Sequence, residues 1–253
     1  MILEGKTALV TGGGRGIGRA IAERLASLGA KIVVTGRTAA EIDEVAAALG
    51  GLALRVDLAD RAAIRGALAS LADKAGPVDI LVNNAGVSES APFDRTSDEV
   101  WDRLFEVNVT AAFQLSRALI PAMIPRGYGR VVNIASNAGL TGYAYTSAYC
   151  ASKHALVGLT RALAVELART PVTVNAVCPG CVDTQMVGEA ASRIAEKTGR
   201  SADEARRALA AMSPQKRLVE PAEVAHVVAM LCAAEARSIH GQAIPIDGGQ
   251  VMS

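Results

Sequence analysis

The sequence predicts a single α/β domain, a doubly wound parallel sheet with helices on both faces. Two observations carry this. Short apolar runs rich in β-branched residues alternate with longer amphipathic segments along the chain. The runs are continuously apolar rather than alternating, so both faces of their sheet are to be buried. A length of 253 residues suits one domain of this class, over 1–253, without a second core.

The elements follow in order. Thr7–Thr11 is the first strand and Ile17–Leu28 the first helix. Lys31–Thr35 is the second strand, and Thr38 with Glu41 has capping-box spacing for a helix ending near Leu49. Leu52–Val56 is the third strand, and Asp60 caps a helix running to Lys74. Val78–Val82 is the fourth, followed by a long segment capped by Thr96 with Glu99 and reaching Met123. Arg130–Ile134 and Val172–Val177 flank a helix over Ser147–Ala168. Pro221, suited to a first helical turn, opens a helix to Ala234, and Ala243–Ile246 closes the sheet. Parallel strands joined by helices require right-handed crossovers. One stretch departs from the alternation. Gln185–Met212 is helical by propensity but lies between a strand and the last helix, as a surface excursion or a lid over a site.

Composition narrows the class of function. The chain is 51% hydrophobic, which excludes disorder. Its 26 basic and 25 acidic residues lack the basic excess that nucleic acid demands, so no nucleic-acid partner is expected. No run of about 18 uncharged apolar residues occurs, so no membrane span is expected. Glu4 and Lys6 interrupt the start, which does not read as a signal peptide. Four cysteines without a pairing pattern fit a reducing, cytoplasmic setting. Cys178-Pro-Gly-Cys181 by itself invites a redox reading. His154, His226 and His240 have no metal-ligand spacing, and no metal is expected. Aromatics are scarce at 3%, and all lie between Phe93 and Tyr149.

The turn Thr11-Gly-Gly-Gly-Arg-Gly-Ile-Gly18 joins the first strand to the first helix, with spacing Gly12-x-x-x-Gly16-x-Gly18. Glycines let a backbone approach a pyrophosphate, and the helix N-terminus offers free N–H groups and the positive dipole end. Thr11, Gly12, Gly14, Arg15, Gly16, Ile17 and Gly18 are therefore candidate cofactor residues. The second strand ends Thr35-Gly36-Arg37. An acid near here would bind a ribose 2′-hydroxyl. Gly36 cannot, whereas Arg37 can pair with a 2′-phosphate and Arg15 can add a second positive charge. NADP(H) is preferred, and NAD(H) stays open.

Tyr149 and Lys153 stand four apart at the start of a predicted helix, on one face. A free phenol titrates near pH 10, too high for neutral acid–base work. A nearby ammonium, with the charge of an oxidised nicotinamide, should lower it. Ser136 ends the fifth strand, where its hydroxyl could steady a carbonyl oxygen.

These residues resemble the short-chain dehydrogenase/reductase family over nearly the whole chain. Thr11–Gly18 is similar to its TGxxxGxG turn, and Asp57, followed by Leu58, to its adenine-contacting acid. Asn83-Asn84-Ala85-Gly86 resembles its NNAG segment, and Asn108 its Asn in the long helix. Ser136 and Tyr149-xxx-Lys153 resemble its catalytic set, 13 residues apart. Pro179-Gly180-Cys-Val182-Asp-Thr184 and Asp247-Gly-Gly249 resemble two further segments. The resemblance implies a Rossmann-type fold, with the cofactor part at about 1–135 and the catalytic and substrate part at about 136–253, the lid at about 185–212. It implies Tyr149 as general acid/base, Lys153 as its pKa-lowering partner and holder of the nicotinamide ribose, and Ser136 as carbonyl orienter. Asn108 would hold a relay water, while Val182 and Thr184 would position the nicotinamide. Thr38 is carried along with Arg37. The Cys-Pro-Gly-Cys run would then line the nicotinamide pocket rather than perform dithiol chemistry.

The substrate implied is a small carbonyl or alcohol, and the segment Tyr149–Met186 looks like bacterial 3-oxoacyl thioester reductases and polyketide ketoreductases. Ala138, Tyr143, Tyr145, Cys181 and Met186 join Ser136 as candidate substrate contacts. Arg193, Arg200, Arg206 and Arg207 could meet the phosphate of a CoA or an acyl carrier protein arm. Two alternatives stay open: a hydroxybutyrate-type or other secondary-alcohol dehydrogenase using NAD, and an idle nucleotide-binding sensor. The family usually forms tetramers. A homotetramer is expected, with Trp101, Phe105 and Phe113 on the long helix at the interface.

Overall fold

The computed structural model describes residues 2–252. Its elements run β1 (Thr7–Thr11), α1 (Gly16–Ser27), β2 (Lys31–Gly36), α2 (Ala39–Leu49), β3 (Leu52–Arg55), α3 (Arg61–Ala75), β4 (Ile80–Asn83) and α4 (Asp98–Phe105). They continue with α5 (Ala111–Met123), β5 (Gly129–Ile134), α6 (Ser147–Leu167), β6 (Val172–Pro179), α7 (Gln185–Thr198), α8 (Ala202–Ala211), α9 (Pro221–Cys232) and β7 (Ala243–Ile246). The strands form one parallel sheet in the order β3-β2-β1-β4-β5-β6-β7. The doubly wound architecture read from the apolar runs is the one that forms. Strand order reverses between β1 and β4, which opens a crevice at their carboxyl ends.

The apolar runs are continuous because successive residues serve opposite cores. Ala8 and Val10 of β1, Ile32 and Val34 of β2, and Ile80 and Val82 of β4 pack with Ile21 and Leu25 of α1 and Val228 of α9. The intervening Leu9, Val33 and Leu81 pack with Ile64 and Leu71 of α3 and Leu115 and Met123 of α5. Burying a side chain such as Leu25, fully enclosed, contributes about 1.5–3 kcal/mol over leaving it in water. The helices of the two layers thereby fix where each strand ends, and so where each connecting loop begins.

Several boundaries differ from the sequence reading. Asp60 caps α3 as expected, accepting from the amides of Ala62 and Ala63. Thr38 and Glu41 form no capping box, because Glu41 turns to Arg15 instead. Thr96 does not cap the long helix, because its hydroxyl closes the preceding turn onto Pro92 O at 3.2 Å. Ser97 caps α4 in its place. The long helix is also not uniform: residues Glu106–Thr110 form a π turn between α4 and α5. Strand β6 runs to Pro179 because β7 pairs with its end.

The run Asp98–Arg126 is long and apolar enough to cross a membrane by length and composition. Its Ala111, Leu115, Ile120 and Met123 are, however, buried against the sheet. The excursion after β6 consists of α7 and α8, and α8 opens with a Ser201–Glu204 capping box.

Candidate active site

A cavity of about 630 Å³ lies along the carboxyl ends of the strands, at the reversal between β1 and β4. Its walls gather most of the predicted cofactor residues. Gly12, Gly14, Arg15, Gly16, Ile17 and Gly18 come from the turn after β1, and Arg37 and Thr38 from the end of β2. Asp57 and Leu58 follow β3, and Asn84, Ala85 and Gly86 follow β4. Tyr149 and Lys153 of α6, and Thr184 and Met186 at the start of α7, complete the set.

The turn after β1 is shaped by contact. A Cβ on Gly18 would stand 2.1 Å from Gly12 O, so only glycine lets α1 begin this close to the strand. Gly16 has φ +54°, a left-handed conformation that costs other residues strain. Thr11 does not reach the cavity. Its buried hydroxyl donates to Val82 O at 3.3 Å and accepts from the amides of Asn84 and Ala85 at 2.9 and 3.0 Å. Thr11 thus ties the β1 turn to the β4 loop from behind. The cradle, the amino end of α1 and the free Arg37 guanidinium fit a dinucleotide pyrophosphate and its adenosine end.

Tyr149, half-buried, and Lys153, buried, meet the cavity from α6. Lys153 Nζ donates to Ile134 O at 3.0 Å and lies 5.8 Å from the Tyr149 ring centroid. Burial lowers the ammonium to about 8. Burial also pushes the Tyr149 phenol up to about 12, while a hydrogen bond with the Ser136 hydroxyl works in the opposite direction. Burial is thus the largest influence on the phenol from the chain itself, before any charge of a bound nicotinamide acts. Desolvation outweighs the nearby charge, and the lysine is engaged by a carbonyl. At neutral pH the site holds a protonated phenol.

Other predicted residues stand outside the cavity wall. Asn108 is buried in the π turn with both of its amide hydrogens donated. Its Oδ1 accepts from Val87 N–H at 2.9 Å, and its Nδ2 donates to Val87 O and to Ser152 Oγ, each at 3.0 Å. It clamps the β4 loop to α6. Ser136 is buried and accepts from the Ala138 amide at 3.1 Å. Pro179 ends β6, and Gly180 packs against Asp247. Val182 bridges to Val219, and Cys181 O accepts from the Val219 amide.

Tyr143 is half-buried with an unpartnered hydroxyl, and Tyr145, at φ +65°, is largely exposed. Neither lines the cavity. Among the lid arginines Arg193 does, while Arg206 is paired with Asp183 at 2.6 Å. Cys178 and Cys181 are free thiols, and burial raises both, away from the thiolate that redox chemistry uses. His240 is structural, held between Val174 N and Ala164 O.

The walls also include residues that no motif signalled. Glu41, Glu89, Arg103, Val107, Gln185 and Glu189 line the cavity. Glu89 stands in the loop after β4 and the others on helical turns, and which face of each meets the crevice is a property of packing.

A family model described as short chain dehydrogenase matches residues 6–195. The chain belongs to the short-chain dehydrogenase family. It is an oxidoreductase of that family, and its substrate is a small molecule. Among short-chain dehydrogenases and their relatives, it is 38% identical over 254 residues to a 3-oxoacyl-[acyl-carrier-protein] reductase of Vibrio cholerae, covering 100% of both chains. It is equally 38% identical to a D-beta-hydroxybutyrate dehydrogenase of Cupriavidus necator, covering 99% of both. A solved actinorhodin polyketide ketoreductase with NADPH superposes with a TM-score of 0.93 at 37% identity, covering 97% of both.

Proposed function

We propose that the protein is an NADP(H)-dependent reductase of ketones, acting on a 3-oxoacyl thioester carried by CoA or an acyl carrier protein. The observation that carries this reading is the placing of Tyr149 and Lys153 side by side on the wall of the dinucleotide cradle, with Lys153 Nζ 5.8 Å from the Tyr149 ring centroid. Reduction needs a proton donor at a carbonyl oxygen, and the phenol of Tyr149 on the cavity wall can be one. When bound, the cofactor supplies the hydride. The chain's own residues orient and protonate. Ser136 and Tyr149 hold the carbonyl oxygen, Tyr149 Oη gives up its proton, and Lys153 provides the nearby positive charge. Asn108 and Thr11 are positioning residues that fix the β4 loop. The relatives named as 3-oxoacyl reductase and ketoreductase support the substrate class.

Identity does not separate this reading from a hydroxybutyrate-type dehydrogenase, since both relatives match equally. The cofactor end favours the first. Gly36 and Arg37 occupy the wall where an NAD site would place an acid. The part up to about residue 135 then serves the cofactor and the rest the substrate, with 185–212 as the lid. We place the protein in a reducing cytoplasm, supported by four free thiols. The tetramer reading is supported by exposed Trp101, Phe113 and Val165 and by the Trp101–Phe105 stack at 4.6 Å.

The test is an oxidation assay of NADPH and NADH with acetoacetyl-CoA, a longer 3-oxoacyl thioester, a cyclic ketone and an aromatic ketone. NADPH-linked turnover highest on the thioesters is expected. Turnover confined to NAD-linked oxidation of 3-hydroxybutyrate, or none on any carbonyl, would overturn the proposal.

A further inference from the structure

Glu41 lines the cavity on the same wall as Arg15 and Arg37. It stands in the first turn of α2, where an acid ordinarily serves its own helix end. This one forms no capping box with Thr38. Its Oε1 lies instead 3.4 Å from Arg15 Nη1. The approach is built in: a Cβ on Gly14 would stand 2.9 Å from Glu41 Cβ, so the glycine turn and the first turn of α2 touch. Arg15 also donates to Gln185 Oε1 at 2.7 Å, at the first residue of α7. The Arg37 guanidinium has no polar partner among the described residues. The two arginines are therefore unequal. Arg37 is available to an anion, and Arg15 is already shared.

We propose that Glu41 is a cofactor-selectivity residue, whose carboxylate competes with the 2′-phosphate of NADP(H) for Arg15 and so restrains the preference for NADP(H) over NAD(H). This rests on the proposed assignment of that wall to a 2′-phosphate. A phosphate monoester carries about −1.5 to −2 charge at neutral pH, and it must draw Arg15 away from a carboxylate to gain its second cation. A 2′-hydroxyl makes no such demand, so NADH binding is insensitive to Glu41. The side chains of Arg15 and Glu41 are 54% and 38% exposed, and water screening keeps the effect at about tenfold or less.

The experiment titrates the full chain with NADPH and NADH by nicotinamide fluorescence, and with 2′,5′-ADP and 5′-AMP by calorimetry. The proteins are the wild type, Glu41→Gln, Glu41→Ala and each of these combined with Arg15→Gln. Thermal melting of each variant confirms the fold, and Glu41→Ala stands in if Glu41→Gln melts early. Both Glu41 variants are expected to tighten NADPH and 2′,5′-ADP about three- to tenfold and to leave NADH and 5′-AMP within about twofold. With Arg15→Gln present, the gain should shrink to less than about twofold. No gain, an equal gain for both cofactors, or a gain that persists without Arg15 would each overturn the proposal. A wild type that binds NADPH no better than NADH would overturn the NADP(H) assignment. It would leave the Glu41 comparison on 2′,5′-ADP and 5′-AMP readable.

Discussion

Lys153 gives its ammonium to the backbone of Ile134, at 3.0 Å, rather than to the phenol of Tyr149. The carbonyl at the end of β5 thus anchors the ammonium beside Tyr149. The charge stays near the ring without holding its oxygen, and burial is left to set the state of the phenol.

Burial of Lys153 makes stability depend on pH in a defined sense. Its folded value is about 8 against 10.5 unfolded. Between these values the unfolded chain binds the proton and the folded chain does not, so this group raises stability as pH rises across that window. The raised Cys178, Cys232 and Tyr149 act oppositely from about pH 9 upward. The lysine is therefore isolated by difference. Subtracting the unfolding free energy of Lys153→Met from that of wild type should give a value that climbs from about pH 8 to about 10.5 and then levels. A flat difference would count against a buried, lowered lysine.

Tyr149→Phe should fold and bind cofactor like wild type and lose about 10²- to 10⁴-fold in kcat, the range that general acid catalysis supplies. Stopped-flow turnover with fluorescence titration of NADPH separates the two effects. Retained turnover would remove the phenol from the chemistry.

Arg37→Asp replaces the free guanidinium of the cavity wall by a carboxylate suited to a 2′-hydroxyl. The ratio of kcat/KM for NADPH to that for NADH is expected to fall at least about tenfold, the loss of one charge-assisted hydrogen bond. An unchanged ratio would sink the role of Arg37.

Two glycines provide a matched pair. Gly18→Ala would drive a methyl to 2.1 Å from Gly12 O, so it should lower stability by about 1–3 kcal/mol and abolish tight cofactor binding. Gly66 sits exposed within α3 with nothing within 4 Å of a Cβ. Gly66→Ala should raise stability by about 0.5–1 kcal/mol. Chemical denaturation of both variants reads the opposite signs.

The Arg206–Asp183 pair is exposed at 42% and 48%, so its loss should change global stability by no more than about 1 kcal/mol. It nevertheless fastens α8 to the loop before α7. Arg206→Ala should therefore leave the melting temperature nearly unchanged while speeding limited proteolysis within 185–212. Unchanged cleavage would show that α7 and α8 are held by their apolar contacts alone.

The fold was legible because each strand announces itself. β1 and β7 form over the predicted residues, since a run such as TALVT is apolar on both sides and ends at glycine or proline signals. The glycine turn, Tyr149 and Lys153 were legible because their chemistry is tied to chain-local spacing. What stayed hidden depends on long-range packing. Thr96 looked like a cap, but a turn onto Pro92 had first claim on its hydroxyl. Asn108 was legible as a residue of the long helix, but not the hydrogen bonds by which its side-chain amide ties Val87 to Ser152. Glu41 looked like a helix cap until the approach of Gly14 and Arg15 turned it into the cavity wall.

The π turn at Glu106–Thr110 sets a phase between two helices. Such a turn amounts to one residue inserted into an α-helix, and each α-helical residue advances the chain by about 100°. Removing any one residue from 106–110 would let α4 and α5 merge into a straight rod. Everything on one side of the cut would then rotate by about that angle. Either Ala111, Leu115 and Met123 would swing away from the sheet, or Arg103 and Leu104 would swing off the cavity wall. The length of this segment is therefore constrained along with the identity of Asn108, and related chains should keep the number of residues at 106–110 even where the letters around Asn108 differ.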